Sequence, residues 1–231
     1  MEFPLHKACL NNEPRKVQEL LESSDPFKAV VQRDDDGRVP LHWAVSIQSD
    51  AIIKLLLPYM KSVDIDTLTD EAGWTPFHIS CSIGHLDIVD QLYNNNPDAR
   101  PNLDLQTSQG VTALHLAVAK KHLEVCKYLI KLGASVRIKD KKGQIALHRA
   151  AAVGSIGVVE FLCSTAKSPV NWKDASGWTP LFHAIAEGHA DIAVLLVNKF
   201  SADYEVEDSD GKKPIDVAPS ESVKEYFSKN I

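Results

Sequence analysis

A six-residue phrase recurs seven times along this chain of 231 residues. Its third position is always a large apolar residue, and successive copies of that position are separated by 36, 36, 37, 33, 34 and 34 residues. Units of this length that recur in register stack side by side into a solenoid, so this feature constrains the fold most strongly. The copies are FPLHKA (3–8), VPLHWA (39–44), TPFHIS (75–80), TALHLA (112–117), IALHRA (145–150), TPLFHA (179–184) and KPIDVA (213–218).

The phrase has the TPLHxA pattern and the period of the ankyrin repeat, in which a turn and two helices form one unit. We predict an all-α ankyrin-repeat solenoid of seven repeats with atypical capping repeats at both ends. The first copy has no preceding turn, and the last has Asp216 in place of histidine. We expect a single domain over 1–231, with repeats near 1–35, 36–70, 71–106, 107–139, 140–173, 174–207 and 208–231.

Several residues of the repeated unit have a recognisable physical role. A threonine hydroxyl can cap the first helix, and a proline at the first helical position loses no hydrogen bond because that N–H would be unpaired. The apolar residue packs in the core, the alanine lets helices approach, and a later glycine can end the helix in the left-handed conformation. The threonines are Thr75, Thr112 and Thr179, and the glycines are Gly84, Gly154 and Gly188.

Nine histidines and four cysteines invite a metal or catalytic interpretation, but the repeat accounts for most of them. Histidines at the fourth position of the phrase typically link one repeat to the next by hydrogen bonds, and residues spaced one per repeat do not converge on one ion. His183 alone lies outside the two repeated histidine positions, beside Phe182. The cysteines fall on helix positions typical of buried thiols. We expect no enzyme, no cofactor and no metal.

Composition and charge narrow the class of partner. No apolar run is long enough to span a bilayer, and the few unpaired cysteines are typical of the cytoplasm and nucleus. Residues 1–110 carry 9 Lys+Arg against 17 Asp+Glu, whereas the remainder carries 16 against 14. An acidic half argues against nucleic acid, and such a bipolar charge distribution orients a charged protein partner. We expect neither a nucleic-acid nor a membrane partner.

The side chains that the repeat does not require are the candidate binding residues. Ankyrin repeats bind through turn tips and the exposed side of the first helix, and tryptophan and arginine are enriched among binding anchors. The alternative is that each tryptophan ring lies over its own turn and helix. The predicted protein-binding residues are Asp36, Arg38, Trp43, Asp70, Glu71, Trp74, Ile83, Lys120, Val153, Trp178, Phe182 and Glu187.

Over essentially its whole length the chain resembles the gankyrin family, especially its fungal members. The resemblance rests on stretches such as DDDGRVPLHWAVS (34–46), DEAGWTPFHISCSIGHLDIV (70–89) and GWTPLFHAIAEGHADIAVLLV (177–197). It implies a monomeric assembly chaperone of the proteasome 19S regulatory particle base. Such a chaperone binds the C-terminal domain of one of the particle's six ATPase subunits in its concave face. By the same resemblance, Asp36, Arg38, Trp43, Asp70, Glu71, Trp74 and Lys120 are binding positions. An ankyrin adaptor or inhibitor of a kinase or transcription factor is the alternative.

Overall fold

A computed structural model of the protein describes residues 3–23 and 25–231. Within those ranges the regular elements are all helical, as predicted, and no helix is long and apolar enough to cross a membrane. The chain forms two compact units, one ending at Gln109 and one beginning at Gly110. Each unit is built from pairs of helices that pack against each other and are joined by turns.

The unit that ends at Gln109 contains three helix pairs among its described residues. The first helix of each pair begins at the proline of the repeated phrase, and short helical segments follow the first two pairs. The pairs are α1 (Pro4–Leu10) with α2 (Pro14–Ser23), α4 (Pro40–Ser46) with α5 (Asp50–Leu56), and α6 (Pro76–Ile83) with α7 (Leu86–Asn94); α3 (Pro26–Ala29) follows α2.

The unit that begins at Gly110 has the same organisation. Its final copy of the phrase forms only a 3-10 turn, Pro214–Val217, followed by the helix that the polar stretch ESVKEYFSK predicts. The count of seven full repeats stays a prediction. The elements are α8 (Ala113–Ala119) with α9 (Leu123–Lys131), α10 (Ala146–Ala152) with α11 (Ile156–Ser164), α12 (Pro180–Ala186) with α13 (Ala190–Phe200), and α14 (Glu221–Asn230).

The histidines of the phrase link consecutive repeats within each unit, as predicted. In His42, Nδ1 accepts the backbone N–H of Val39 at 3.1 Å, so Nε2 carries the proton that is donated to the Trp74 carbonyl at 3.0 Å. A neutral imidazole is required for this pair of bonds. The equivalent bonds of Nε2 run from His6 to the Gln32 and Arg38 carbonyls, His78 to Leu105, His115 to Gln144, and His148 to Trp178.

We predict that stability falls as pH is lowered from 6.5 to 4. Burial, and then the charge of nearby His183, lower the pKa of His148 to about 4, below the value of about 6.5 for an unfolded chain. Between pH 4 and 6.5 the folded protein therefore binds fewer protons than the unfolded chain. The free energy of unfolding has its full value above pH 6.5 and decreases towards pH 4, by on the order of 3 kcal/mol for this residue. Urea unfolding at pH 7.5 and pH 5 measures the effect, and equal midpoints would contradict it.

Two of the three predicted threonine caps form, and the third does not. Thr75 and Thr112 accept the backbone N–H of the histidine three residues later, and their hydroxyls also lie 2.9 and 2.8 Å from that histidine's Nδ1. In the sixth copy of the phrase Phe182 replaces the histidine. Phe182 has no ring nitrogen to contact the Thr179 hydroxyl, and this buried hydroxyl has no hydrogen-bond partner in the described part of the chain.

This difference predicts opposite effects of the same substitution. Thr112→Val removes a satisfied cap and should lower the free energy of unfolding by about 1 kcal/mol. Thr179→Val removes an unsatisfied buried hydroxyl while keeping the branched shape, and should raise it by about 1 kcal/mol. Chemical unfolding followed by circular dichroism compares the two variants, and equal losses at both sites would refute the assignment.

Candidate functional site

Aspartates close the turns that precede the helix pairs. In each turn the Oδ1 atom accepts the backbone N–H groups two and four residues later, which leaves the second oxygen, Oδ2, available to other donors. The turn glycine adopts positive φ; a Cβ on Gly143 would also lie 2.9 Å from the backbone nitrogen of Ala175, so glycine is required there. The turn aspartates are Asp34, Asp70, Asp140, Asp174 and Asp208.

Among the described residues, the side-chain donors to these Oδ2 atoms come from two recurring positions in the repeat. One is the residue nine positions later, in the first helix of the same repeat: Trp43 for Asp34, Arg149 for Asp140 and His183 for Asp174. The other is the residue after the turn glycine of the preceding repeat, 30 to 32 positions earlier: Arg38 for Asp70, Gln144 for Asp174 and Trp178 for Asp208.

In the unit ending at Gln109, three of the predicted binding residues and the turn residue Asp34 form one network of polar contacts. Trp43 Nε1 donates to Asp34 Oδ2 at 2.8 Å, and the Arg38 guanidinium lies 4.8 Å from the centre of the Trp43 ring. Arg38 Nε also donates to Asp70 Oδ2 at 3.4 Å, and the Asp70 side chain is only 8% exposed. The charges of Arg38 and Asp70 are thus paired with each other before any partner arrives.

Trp43 stands between two surface recesses of this unit. One is lined by Phe3, Leu10 and the acidic tip that contains Asp35 and Asp36. The other is lined by the residues Arg38, Ser46, Asp70, Trp74 and Ile79. Five predicted residues therefore line apolar recesses rimmed by charge, a composition in which protein-binding anchors are common: Asp36, Arg38, Trp43, Asp70 and Trp74.

In the unit beginning at Gly110, Trp178 is the centre of the candidate surface. Its ring stacks on Phe182 with centroids 5.6 Å apart, meets His183 edge-on at 5.2 Å, and donates Nε1–H to Asp208 Oδ2 at 2.9 Å. Phe182 has no exposed surface, so it supports Trp178 from below and is not itself available for contact. This placement corrects the expectation that Phe182 touches a partner directly.

The remaining predicted residues differ in exposure. Asp36, Glu71, Lys120 and Glu187 are exposed, and they lie on turn tips or at the ends of first helices. Trp74, Ile83 and Val153 are half-buried. Whether any of these side chains contacts a partner stays a prediction.

The repeat pattern predicts that the scaffold leaves the side chains of Arg38, Trp43 and Trp178 free, whereas turn aspartates hold their polar atoms. The alternative that each ring lies over its own repeat is also incomplete, because Trp178 reaches the aspartate of the next turn. The sequence does contain a signal for these hydrogen bonds. It is a side-chain donor placed nine residues after, or about 30 residues before, a turn aspartate.

Several other buried ionisable groups are kept unreactive by burial or are paired with an opposite charge. Burial raises the pKa of the Cys9, Cys126 and Cys163 thiols to about 12, which suppresses the reactive thiolate. Asp140, 7% exposed, is paired with Arg149 Nη2 at 2.6 Å. Among residues 3–23 and 25–231, no group of three His, Cys, Asp or Glu side chains is placed to hold a metal ion.

Comparison with known proteins identifies relatives over the whole chain. The ankyrin-repeat family profile matches in three copies, over residues 2–67, 48–140 and 132–210. The chain is 55% identical over 229 residues, 99% of each protein, to a Saccharomyces cerevisiae protein named probable 26S proteasome regulatory subunit p28. It is 39% identical to the ankyrin repeat-containing protein C6C3.08 of Schizosaccharomyces pombe, over 96% of this chain and 93% of the relative. The crystal structure of the ankyrin repeat domain of Bcl-3 matches in fold, with a TM-score of 0.78, 24% identity and 97% coverage of both chains.

Proposed function

Because this chain belongs to the ankyrin-repeat family and, within it, to the gankyrin family, we propose that it is an assembly chaperone of the proteasome 19S regulatory particle base. The observation that carries the proposal is the 55% identity, over 99% of both chains, to the yeast protein whose name places it in the 26S proteasome. The partner would be the C-terminal domain of one regulatory-particle ATPase subunit. Binding would be noncovalent, without catalysis, in the cytoplasm and nucleus.

The charge and shape of each unit support a protein partner. The unit ending at Gln109 carries a net charge of −8, from 9 Lys+Arg and 17 Asp+Glu. A partner should meet its recesses with basic and aromatic or aliphatic side chains. In the other unit, residues 120–149 contain nine basic residues against Glu124 and Asp140, so acidic partner residues are favoured there.

The test is selective capture of a purified domain. The six ATPase C-terminal domains would be presented one at a time to the immobilised chain, and we expect one to be retained. Retention should weaken as salt is raised from about 0.05 to 0.5 M, because exposed charge pairs are screened. Retention of none of the six would overturn the proposal.

An affinity purification from cell extract, with mass spectrometry of the bound proteins, separates the main alternative. A chaperone of the regulatory particle should recover ATPase subunits of that particle. Recovery of a kinase or transcription factor without any ATPase subunit would favour an ankyrin adaptor or inhibitor instead.

A further inference from the structure

We propose that Asp34 and Asp208 are positioning residues that hold Trp43 and Trp178 in the orientation that a protein partner meets. The proposal rests on the proposed function for the identity of the partner, but the orientation itself is a property of the free chain. Neither aspartate is among the predicted binding residues. Each is argued to act through its tryptophan.

The orientation of Trp43 determines the shape of two recesses at once. Its half-buried ring forms a wall of the recess beside Phe3 and of the recess beside Trp74. The hydrogen bond from Nε1 to Asp34 Oδ2 holds the edge of the ring, and the Arg38 guanidinium lies over the ring. Rotation of the side chain would therefore alter both recesses.

Trp178 is held in a comparable way in the other unit. Phe182 supports the ring through a stacked contact with an interplanar angle of 20°, and Asp208 Oδ2 accepts the indole N–H from the next turn. Stacking alone allows an indole to slide or rotate within its own plane. A hydrogen bond at one edge of the ring restricts that motion. The ring lines a recess together with Ser176, Ser209 and Lys212.

The two oxygens of each aspartate have separate roles, and this makes the proposal testable. In Asp34, Oδ1 accepts the backbone N–H groups of Asp36 and Arg38, and Oδ2 accepts the Trp43 indole. Burial alone would raise the pKa of Asp34, but the hydrogen bonds from Trp43, Arg38 and Asp36 outweigh it and lower that pKa. Asparagine keeps the oxygen that closes the turn and replaces the other with an NH₂ group, which cannot accept the indole N–H.

The experiment compares Asp34→Asn with Asp35→Asn in the full chain. Both variants lose one negative charge at the same acidic tip, and Asp35 is exposed with no hydrogen bond to a tryptophan among the described residues. The indole N–H resonances of the free protein are recorded by NMR, with Trp172 as a reference. Affinity is then measured by calorimetry for the ATPase C-terminal domain that the capture experiment selects.

We expect Asp34→Asn to shift the Trp43 indole resonance and increase its exchange with water, whereas Asp35→Asn leaves it unchanged. Affinity should fall about 2- to 10-fold more in Asp34→Asn than in Asp35→Asn, since the ring must be ordered on binding. In a Trp43→Phe background, which lacks the donor, the two asparagine substitutions should have equal effects.

Each result decides one step. An unmoved Trp43 resonance in Asp34→Asn would overturn the positioning of the ring. A shifted resonance with equal affinities for the two variants would overturn its role in binding. A wild-type chain that keeps the protected indole but binds none of the six domains would overturn the proposed function instead. Asp208→Asn against Asp210→Asn repeats the test for Trp178.

Discussion

The substitution Phe182→Ala should lower the free energy of unfolding by about 3 to 5 kcal/mol, the loss typical of removing a fully buried phenylalanine. Phe182 has no exposed surface, and Trp178 is stacked on it. Alanine would therefore leave a cavity beneath the tryptophan as well as remove buried apolar surface. Urea unfolding measures the total loss, and hydrogen exchange in α12 and α13 should show that protection falls first around the cavity.

Phe27→Ala is the matched control, because it removes the same ring from a side chain that is 61% exposed. Phe27 makes one edge-on contact with Tyr59, at 5.7 Å, so a loss below about 1 kcal/mol is expected. Similar losses in the two variants would mean that Phe182 is not a core residue. If Phe182→Ala also weakens partner binding, the cause would be displacement of Trp178, because the buried Phe182 ring cannot contact a partner directly.

The substitution Lys120→Glu should weaken binding of the ATPase C-terminal domain tenfold or more, if the basic residues of this unit meet acidic partner residues. Reversal replaces an attraction with a like-charge contact, which costs several kcal/mol when the charges are close, and about 1.4 kcal/mol already corresponds to tenfold. Lys120 is exposed at the end of α8 and should leave stability within about 0.5 kcal/mol of the wild type. Calorimetry and thermal unfolding measure the two quantities.

Lys131→Glu provides the control, since it makes the same change of charge at an exposed position in α9, the second helix of the same pair. We expect it to reduce affinity by less than about threefold, through long-range charge alone. Equal losses for Lys120→Glu and Lys131→Glu would place the interface elsewhere. Arg38→Glu is a poorer probe than the sequence suggests, because it would also put a negative charge beside the buried carboxylate of Asp70.

Most of the fold could be predicted because the determinants of an ankyrin repeat are short-range and recur. The helix starts at proline, the caps of Thr75 and Thr112 and the histidine links all follow from a phrase of six residues. Similar neighbours surround most copies, so the interpretation of one copy transfers to the next. The prediction failed where a copy departs from the phrase: with Phe182 in the histidine position, the cap expected of Thr179 has no partner.

The sequence by itself determined the helical repeat and the division of charge between an acidic and a more basic part of the chain. Only the tertiary structure decided which polar side chains are already engaged. The Oδ2 atom of a turn aspartate can accept a donor from its own repeat, from the preceding repeat some 30 residues away, or from both, as in Asp174, and the outcome depends on which donors reach it. That is why Trp43 and Trp178, predicted as free anchors, prove to be held in place by Asp34 and Asp208.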